Sequence, residues 1–355
     1  MVKPRTQLSD LSVCEHGGEQ DGEDVIDFSV NLNPYGPPEF VHEVIKGVIE
    51  AIKLYPDTEC SELRARISQK FGCETDEVLV GAGVSELIQL ITLAFMKNRA
   101  LMPQHTYGEY AVAAKMMGAK IKCIEMPDLR INPELIMAEM KRDDVVFLCN
   151  PNNPTGQYLV KNEVAQIIEE AERIDAMVVL DEAYVDFVKH AFPAHNLSTQ
   201  NMIILRSLTK SFAIPGVRVG YAISAEETVK AMAKIKVPWS VSVFAQKIAA
   251  ALISTEGDTF LAGTIEKVEQ SKEKMENALG MHSDANFYAL DVGNAREAKS
   301  ELLGAGIRVR DCSSFGLPSH IRFSIRTDEE NELLIHNFSL QKQRNKYTIR
   351  IDNKK

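Results

Sequence analysis

The segment LRSLTKSFAIPGVRVGY (205–221) sets Lys210 directly behind an apolar run, beside Ser207 and Thr209, with Arg218 eight residues further on, past a proline-glycine turn. A solvated surface lysine needs no such company. Two hydroxyls and a guanidinium are a set that holds a phosphate, the arginine by a two-pronged contact. The amine would then stand one ligand length from that phosphate. Other short stretches supply what such a site still lacks. VGAGVSELIQLI places Gly81 and Gly83 ahead of a helix whose first amides are those of Val84, Ser85 and Glu86. A glycine turn opening a helix is an anion seat, because unpaired N–H groups and the helix dipole converge there. NPNNPTG offers Asn153 at a tight turn, LDEAY offers Asp181, Glu182 and Tyr184, and PQHTYGEY offers Tyr107.

One cofactor uses this whole set, pyridoxal 5'-phosphate. Its aldehyde condenses with a lysine, its phosphate needs an anion seat, and its pyridine nitrogen needs a carboxylate that keeps the ring protonated as an electron sink. Lys210 fits the first role and Asp181 the last. Tyr184 and Asn153 can hydrogen-bond the phenolic oxygen, and Tyr107 can cover the open face of the ring. No metal enters this reading. The six cysteines (Cys14, Cys60, Cys73, Cys123, Cys149 and Cys312) are scattered without a C-x-x-C pair. That pattern is neither a metal site nor a disulfide framework.

The elements that must position these residues are given by the apolar pattern. DDVVFLCNP, AMVVLDEAY and NMIILRSLT read as buried strands, and NEVAQIIEEAERI between the first two keeps helical spacing at Val164, Ile167, Ile168, Ala171 and Ile174. Strand, helix, strand at this spacing implies right-handed crossovers and an α/β sheet covered on both faces. Ligands of such sheets bind beyond the carboxyl ends of the strands, where every candidate above falls. The texture changes after about residue 240. A long helical stretch, roughly Val243 to Leu279, leads to short strands near NFYALDV, GIRVRDC and HIRFSIRT. The expected organisation is a large cofactor-binding domain over 36–240 and a small α+β domain over 241–340. An N-terminal segment, 1–35, packs with the small domain, and a basic tail over 341–355 is disordered.

Composition narrows the function classes. The 355 residues are 45% hydrophobic and 25% charged, with a formal charge of -10. That balance disfavours nucleic acid and anionic membranes as partners. MVKPRTQLSD has no apolar core of a signal peptide, and no run of eighteen apolar residues occurs. The expectation is a reduced, cytoplasmic protein.

With these motifs in place, the chain resembles fold-type I, class I/II aminotransferases from NLNPYGP near residue 31 to FSIRTDEEN near residue 331. YPD, PNNPTG, DEAY, SLTK and PGVRVGY occur in the family's order and at its spacing. The resemblance implies a large, mostly parallel sheet domain and a smaller C-terminal α+β domain. It makes Lys210 the Schiff-base lysine, Asp181 the pyridinium partner, and Asn153 and Tyr184 the contacts of the phenolic oxygen. Gly83, Val84, Ser85, Ser207, Thr209 and Arg218 fall at the phosphate, and Tyr107 on the ring. Tyr55 of LYPD matches a tyrosine that reaches the partner subunit's phosphate, which implies a homodimer with shared sites.

Two branches of the family compete. HGG at His16, DFSVNLNP, SLTKSFAIPG, VPWSVSVFA and VRDCSSF are similar to threonine-phosphate decarboxylases of the cobalamin pathway. Histidinol-phosphate aminotransferases share the general layout, but more usually carry a tyrosine-asparagine pair where Trp239 and Ser240 stand here. Glu19 departs from the asparagine expected after HGG. Both branches imply a phosphorylated substrate. Arg322 in HIRFSIRT matches an arginine for its carboxylate and Arg310 in GIRVRDC one for its phosphate. Arg326 adds a further cation, and Asn33 and His16 complete the implied substrate contacts. A pyridoxal-binding transcription regulator is disfavoured, because NLNPYGP begins too early for a preceding DNA-binding module.

Overall fold

The structure, a computed structural model, describes residues 2, 5–8, 11, 14, 17–18, 25–197 and 199–343, the last three by backbone alone. His16, Glu19 and the tail beyond 343 lie outside the described residues. Strand β1 (Ile26–Asp27) precedes the main sheet, which is built from β2 (Val78–Gly81), β3 (Arg99–Pro103), β4 (Lys120–Ile124), β5 (Val145–Cys149), β6 (Met177–Asp181), β7 (Met202–Ser207) and β8 (Gly220–Ser224). Its order is β2-β8-β7-β6-β5-β3-β4. β7, β6, β5, β3 and β4 run parallel, and β8 is antiparallel to both of its neighbours.

The two-residue period of these strands sorts their side chains onto two cores. Val146, Leu148, Val178, Leu180 and Ile204 pack against Val164, Ile167, Ile168 and Ala171 of the helix Lys161–Ile174. Val145, Phe147, Val179, Ile203 and Leu205 face the other way, against Leu87, Ile88, Leu90 and Ile91 of the helix Val84–Phe95. Both faces are therefore dry, as the continuous apolar runs require. Asp181 and Ser207 continue the parity of Val179 and Leu205, so they emerge on the second face, where the strands end.

The register fixes the site's floor. Gly220 of β8 is the partner of Gly81 on one side and of Ser207 on the other. The glycine turn and the Ser207 loop thus lie one strand apart at the same sheet edge. A Cβ on Gly220 would stand 3.0 Å from the Val84 nitrogen and from the Arg206 carbonyl, so glycine lets the turn and strand close together.

The C-terminal part carries β9 (Phe287–Asp291), β10 (Ile307–Arg308), β11 (Arg310–Asp311) and β12 (His320–Ser324). β11, β12 and β9 form an antiparallel sheet in that order, and β10 pairs in parallel with β1. The GIRVRDC stretch therefore divides at Val309 and serves two sheets. The N-terminal segment joins the C-terminal part through that β1–β10 pairing. The helical stretch from Val243 to Leu279 is broken in two, Val243–Leu252 and Thr255–Leu279. Ser254 starts the second helix afresh by accepting a hydrogen bond from the Gly257 amide at 3.2 Å. The break is tight enough that a Cβ on Gly257 would lie 2.0 Å from the Leu252 carbonyl oxygen. No helix among the described residues is long and apolar enough to cross a membrane.

Candidate active site

The strand ends and the small sheet enclose a cavity of about 220 Å³ lined by Val84, Ser85, Tyr107, Asn153, Asp181, Tyr184, Ser207, Thr209, Lys210, Arg218, Arg310 and Arg322 among others. Residues from distant parts of the sequence meet there because β2, β5, β6 and β7 end on one edge and β11 and β12 close over it.

One end of the cavity is built for an anion. The helix Val84–Phe95 starts at Gly83, so the amides of its first turn have no acceptor within the helix. Gly83 takes φ +86°, and a Cβ there would come within 2.7 Å of Arg218 Nη2. Glycine is thus demanded twice, by the backbone and by the guanidinium beside it. Ser207 caps the short helix Leu208–Ser211, its Oγ accepting from the Thr209 amide at 3.3 Å, which leaves its own proton for a ligand. Arg218 Nη1 donates to the Pro215 carbonyl at 3.2 Å, anchoring the guanidinium by one arm.

The lysine is held by its surroundings. Lys210 Nζ donates to the Val30 carbonyl at 3.2 Å. Burial, then the Arg322 and Arg218 cations, lower its pKa from 10.5 to about 8. A buried ammonium beside two guanidiniums is poorly solvated and repelled, so the amine is partly uncharged near neutral pH. Asn33 stands elsewhere than the resemblance implied. Its Nδ2 donates to the Ser211 carbonyl at 2.8 Å and to Thr264 Oγ1 at 2.9 Å, while its amide donates to the Lys210 carbonyl at 2.9 Å. Asn33 braces the lysine turn from outside the cavity lining; its amide group is spent on the protein.

Asp181 lines the same cavity. Burial raises its pKa from 3.8 to about 6, against hydrogen bonds from Tyr110 and the Ala183 amide. A cation placed against this carboxylate would offset the desolvation that raises it. Tyr110 is a functional residue that the sequence motifs did not reveal. Fully buried, it donates its hydroxyl to Asp181 Oδ2 at 2.6 Å and stacks on Phe147 with centroids 4.9 Å apart. The signal was present. Tyr110 stands three residues after Tyr107 at the start of the helix Glu109–Met116, a spacing that puts both rings on one side. The two rings do meet edge to face at 5.4 Å.

The small sheet contributes the remaining charges. Arg310 and Arg322 are direct partners across the antiparallel β11–β12 pair, so their side chains leave the same face. Both are buried. Arg322 Nη1 donates to Asn153 Oδ1 at 2.5 Å and Nη2 to the Ser29 carbonyl, with Nε buried and unpartnered. Arg310 Nη2 donates to Ser314 Oγ at 2.8 Å. Arg326 is placed apart from the expected substrate contacts. It does not line the cavity and pairs with Glu330 Oε1 at 2.8 Å on the next helix. Tyr55 also stands outside its own chain's cavity, 81% exposed and in tilted contact with Trp239, the ring centroids 4.7 Å apart.

The donor set fits pyridoxal 5'-phosphate: an anion seat at Val84, Ser85, Ser207, Thr209 and Arg218, a buried carboxylate at Asp181, and a lysine of lowered pKa in the same cavity. The comparisons with known proteins agree. The aminotransferase class I and II family model matches residues 23–338. A histidinol-phosphate aminotransferase of Archaeoglobus fulgidus is 33% identical over 88% of this chain and 92% of its own. A Caldanaerobacter subterraneus protein provisionally named threonine-phosphate decarboxylase is 31% identical over 86% of this chain and 87% of its own. Among solved structures, an L-threonine-O-3-phosphate decarboxylase from Porphyromonas gingivalis shares the fold at a TM-score of 0.81, with 24% identity over 90% of this chain and all of its own. The chain belongs to the class I and II aminotransferases, and its cofactor is pyridoxal 5'-phosphate.

Proposed function

We propose that this enzyme decarboxylates threonine phosphate, and that histidinol-phosphate transamination is the alternative. The observation that carries the reading is the Arg310–Arg322 pair, two buried guanidiniums on one face of the small sheet, opening into the cavity that holds Lys210. Two buried cations on one face of the sheet suit a ligand with two anions, because each guanidinium can take one of them by a charged hydrogen bond. Threonine phosphate carries a carboxylate and a phosphate a few bonds apart. Histidinol phosphate has no carboxylate, so it would leave Arg322 for the 2-oxo acid of the second half-reaction. The identity to a histidinol-phosphate aminotransferase keeps that alternative in play.

Bound pyridoxal 5'-phosphate supplies the electron sink for a carbanion at the substrate Cα. The chain's own residues do the rest. Asp181, ionised and held by Tyr110, keeps the proton on the ring nitrogen. Asn153 and Tyr184 orient the phenolic oxygen, and Tyr107 covers the ring. Arg310 draws the phosphate toward the small sheet while Arg322 holds the carboxylate, and the two contacts together fix rotation about Cα. That rotation would decide which bond at Cα breaks. In decarboxylation the Cα–carboxylate bond breaks, carbon dioxide leaves, and Lys210 Nζ delivers a proton to Cα, giving the phosphorylated amino alcohol. With its pKa lowered to about 8, Lys210 has both charged and uncharged forms near neutral pH, and the charged one gives up that proton.

The same reading includes a homodimer. Ile49, Ile52, Leu54, Tyr55, Val237 and Trp239 are all exposed, in neighbouring stretches joined by the Tyr55–Trp239 contact. A partner covering them would bring Tyr55 to its phosphate seat. The deciding experiment incubates the enzyme with threonine phosphate, watching for carbon dioxide, beside histidinol phosphate plus 2-oxoglutarate, watching for glutamate. Glutamate without carbon dioxide would reject the decarboxylase and establish the transaminase.

A further inference from the structure

We infer that Phe315 is the specificity-determining wall of the substrate cavity, a ruler for the distance between the substrate's two anions, and that His105 is the positioning residue that holds it. The inference rests on the reading that Arg310 and Arg322 face one dianionic substrate. Phe315 lines the cavity. Both guanidiniums lie over its ring, the carbon of each 5.9 Å from the ring centroid. One flat ring therefore lies within cation–π range of both guanidiniums, and its bulk limits the cavity space beside each. Cation–π attraction adds to the steric limit. The distance between the two anion sites is thus set by the ring as well as by the β11–β12 register.

A ruler must be rigid, and this one is pinned at each side. The turn Cys312–Phe315 is capped by Asp311, whose Oδ1 accepts from the Ser313 amide at 2.8 Å, and it ends at Gly316 with φ +78°. Ser314 within it takes the Arg310 hydrogen bond. The Phe315 carbonyl lies 2.7 Å from His105 Nδ1, which must carry the proton to bond it. His105 is buried, two residues before Tyr107. Its own carbonyl accepts from Asn152 Nδ2 at 2.9 Å, and Thr106 Oγ1 donates to Asn152 Oδ1 at 2.8 Å. Asn152 precedes Asn153, the acceptor of Arg322. The contacts close a ring from His105 through Phe315 and the arginines to the Asn152–Asn153 loop and back. Phe315 is only half-buried, so replacing it removes the wall without hollowing a core.

The test uses the cofactor-loaded enzyme and three ligands that carry both anions but no amine to react: 3-phosphonopropionate, 4-phosphonobutyrate and 5-phosphonopentanoate. The middle one has the three-atom spacing between carboxyl carbon and phosphorus found in threonine phosphate. Calorimetry should show the parent binding it about tenfold or more tighter than either homologue, the range expected for one methylene in a fitted site. Phe315→Ala should bring all three within about threefold of one another, and Phe315→Tyr should keep the preference. His105→Ala should narrow the preference, whereas His105→Asn, with an amide N–H near the position of Nδ1, should restore it. A merely destabilised protein would weaken all three ligands alike and leave their ratio unchanged. A tenfold preference surviving in Phe315→Ala overturns the ruler while leaving the proposed function standing. A parent that binds none of the three better than butyrate defeats the phosphorylated-substrate reading itself, and the ruler with it.

Discussion

Replacing Tyr110 by Phe removes one oxygen and nothing else, which makes it the sharpest probe of the carboxylate that faces the ring. The hydroxyl donates to Asp181 Oδ2 at 2.6 Å in full burial, and the ring's stacking on Phe147 needs no hydroxyl. Without it Asp181 keeps only the Ala183 amide, at 3.0 Å on Oδ1. A hydrogen bond to an ionised buried group is worth about 1.5–3 kcal/mol. At ~1.4 kcal/mol per pKa unit this raises the carboxyl by about one to two units from its present value, which burial has already lifted to about 6. Asp181 would then compete for a proton of its own near neutral pH and hold the one on the ring nitrogen less firmly. Turnover (kcat/KM) should fall by about ten- to a hundredfold at pH 7. Above the new pKa the carboxylate ionises again, so the loss should shrink toward pH 9. Tyr110 titrates well above 10, so the parent keeps its donor across that range. The assay is kcat/KM and cofactor affinity for both proteins from pH 6.5 to 9. A variant within twofold of the parent at pH 7, or a loss that ignores pH, would refute the role given to Tyr110.

Lys210→Ala should abolish turnover and covalent fixation of the cofactor by borohydride, while the phosphate seat still binds some cofactor; normal turnover would remove Lys210 from the mechanism. In the cofactor-free parent, the rate of cofactor capture should rise with pH through a midpoint near pH 8 and level off above it, because only the uncharged amine reacts and its pKa is held to about 8. Arg322→Gln removes one of the cations responsible, so the midpoint should move upward; an unmoved midpoint would leave burial and Arg218 as the causes. Arg310→Ala should weaken phosphorylated substrates by about ten- to a hundredfold and leave dephosphorylated ones nearly unchanged, as loss of a charged hydrogen bond worth about 1.5–3 kcal/mol requires. An equal loss on both would count against a phosphate role. Tyr55→Phe protomers mixed with Lys210→Ala protomers should regain activity through one intact site per mixed dimer, and mixtures no better than the separate variants would contradict shared sites.

The chemistry of the site was legible in the sequence because its members are tied to strand ends. The apolar runs ending at Cys149, Asp181 and Ser207 are read from composition and period alone, and a parallel sheet must deliver the residues at and beyond these ends to one edge. Gly83 was legible for the same kind of reason, since a glycine turn before a helix is a local event. What sequence could not fix was anything decided by side-chain direction across distant segments. Asn33 and Arg326 are of the right type to touch a substrate, yet one is spent on the Ser211 carbonyl and Thr264 and the other on Glu330. Only packing chooses between a cavity and a neighbour for such groups. Tyr110 needed the reverse correction. Its local spacing places its ring beside Tyr107, but its role rests on a hydroxyl meeting a carboxylate 71 positions away, which that spacing does not encode. The two arginines show both halves at once. Their types could be read from GIRVRDC and HIRFSIRT, but their direct pairing comes from the β11–β12 register, and the ring that both approach from a turn fastened to His105. Sequence alone determined which chemistry the chain could carry, because that depends on residue types at strand ends. Tertiary structure decided which groups face the cavity and at what separation, because a buried polar group turns to whichever partner the packed fold brings within reach.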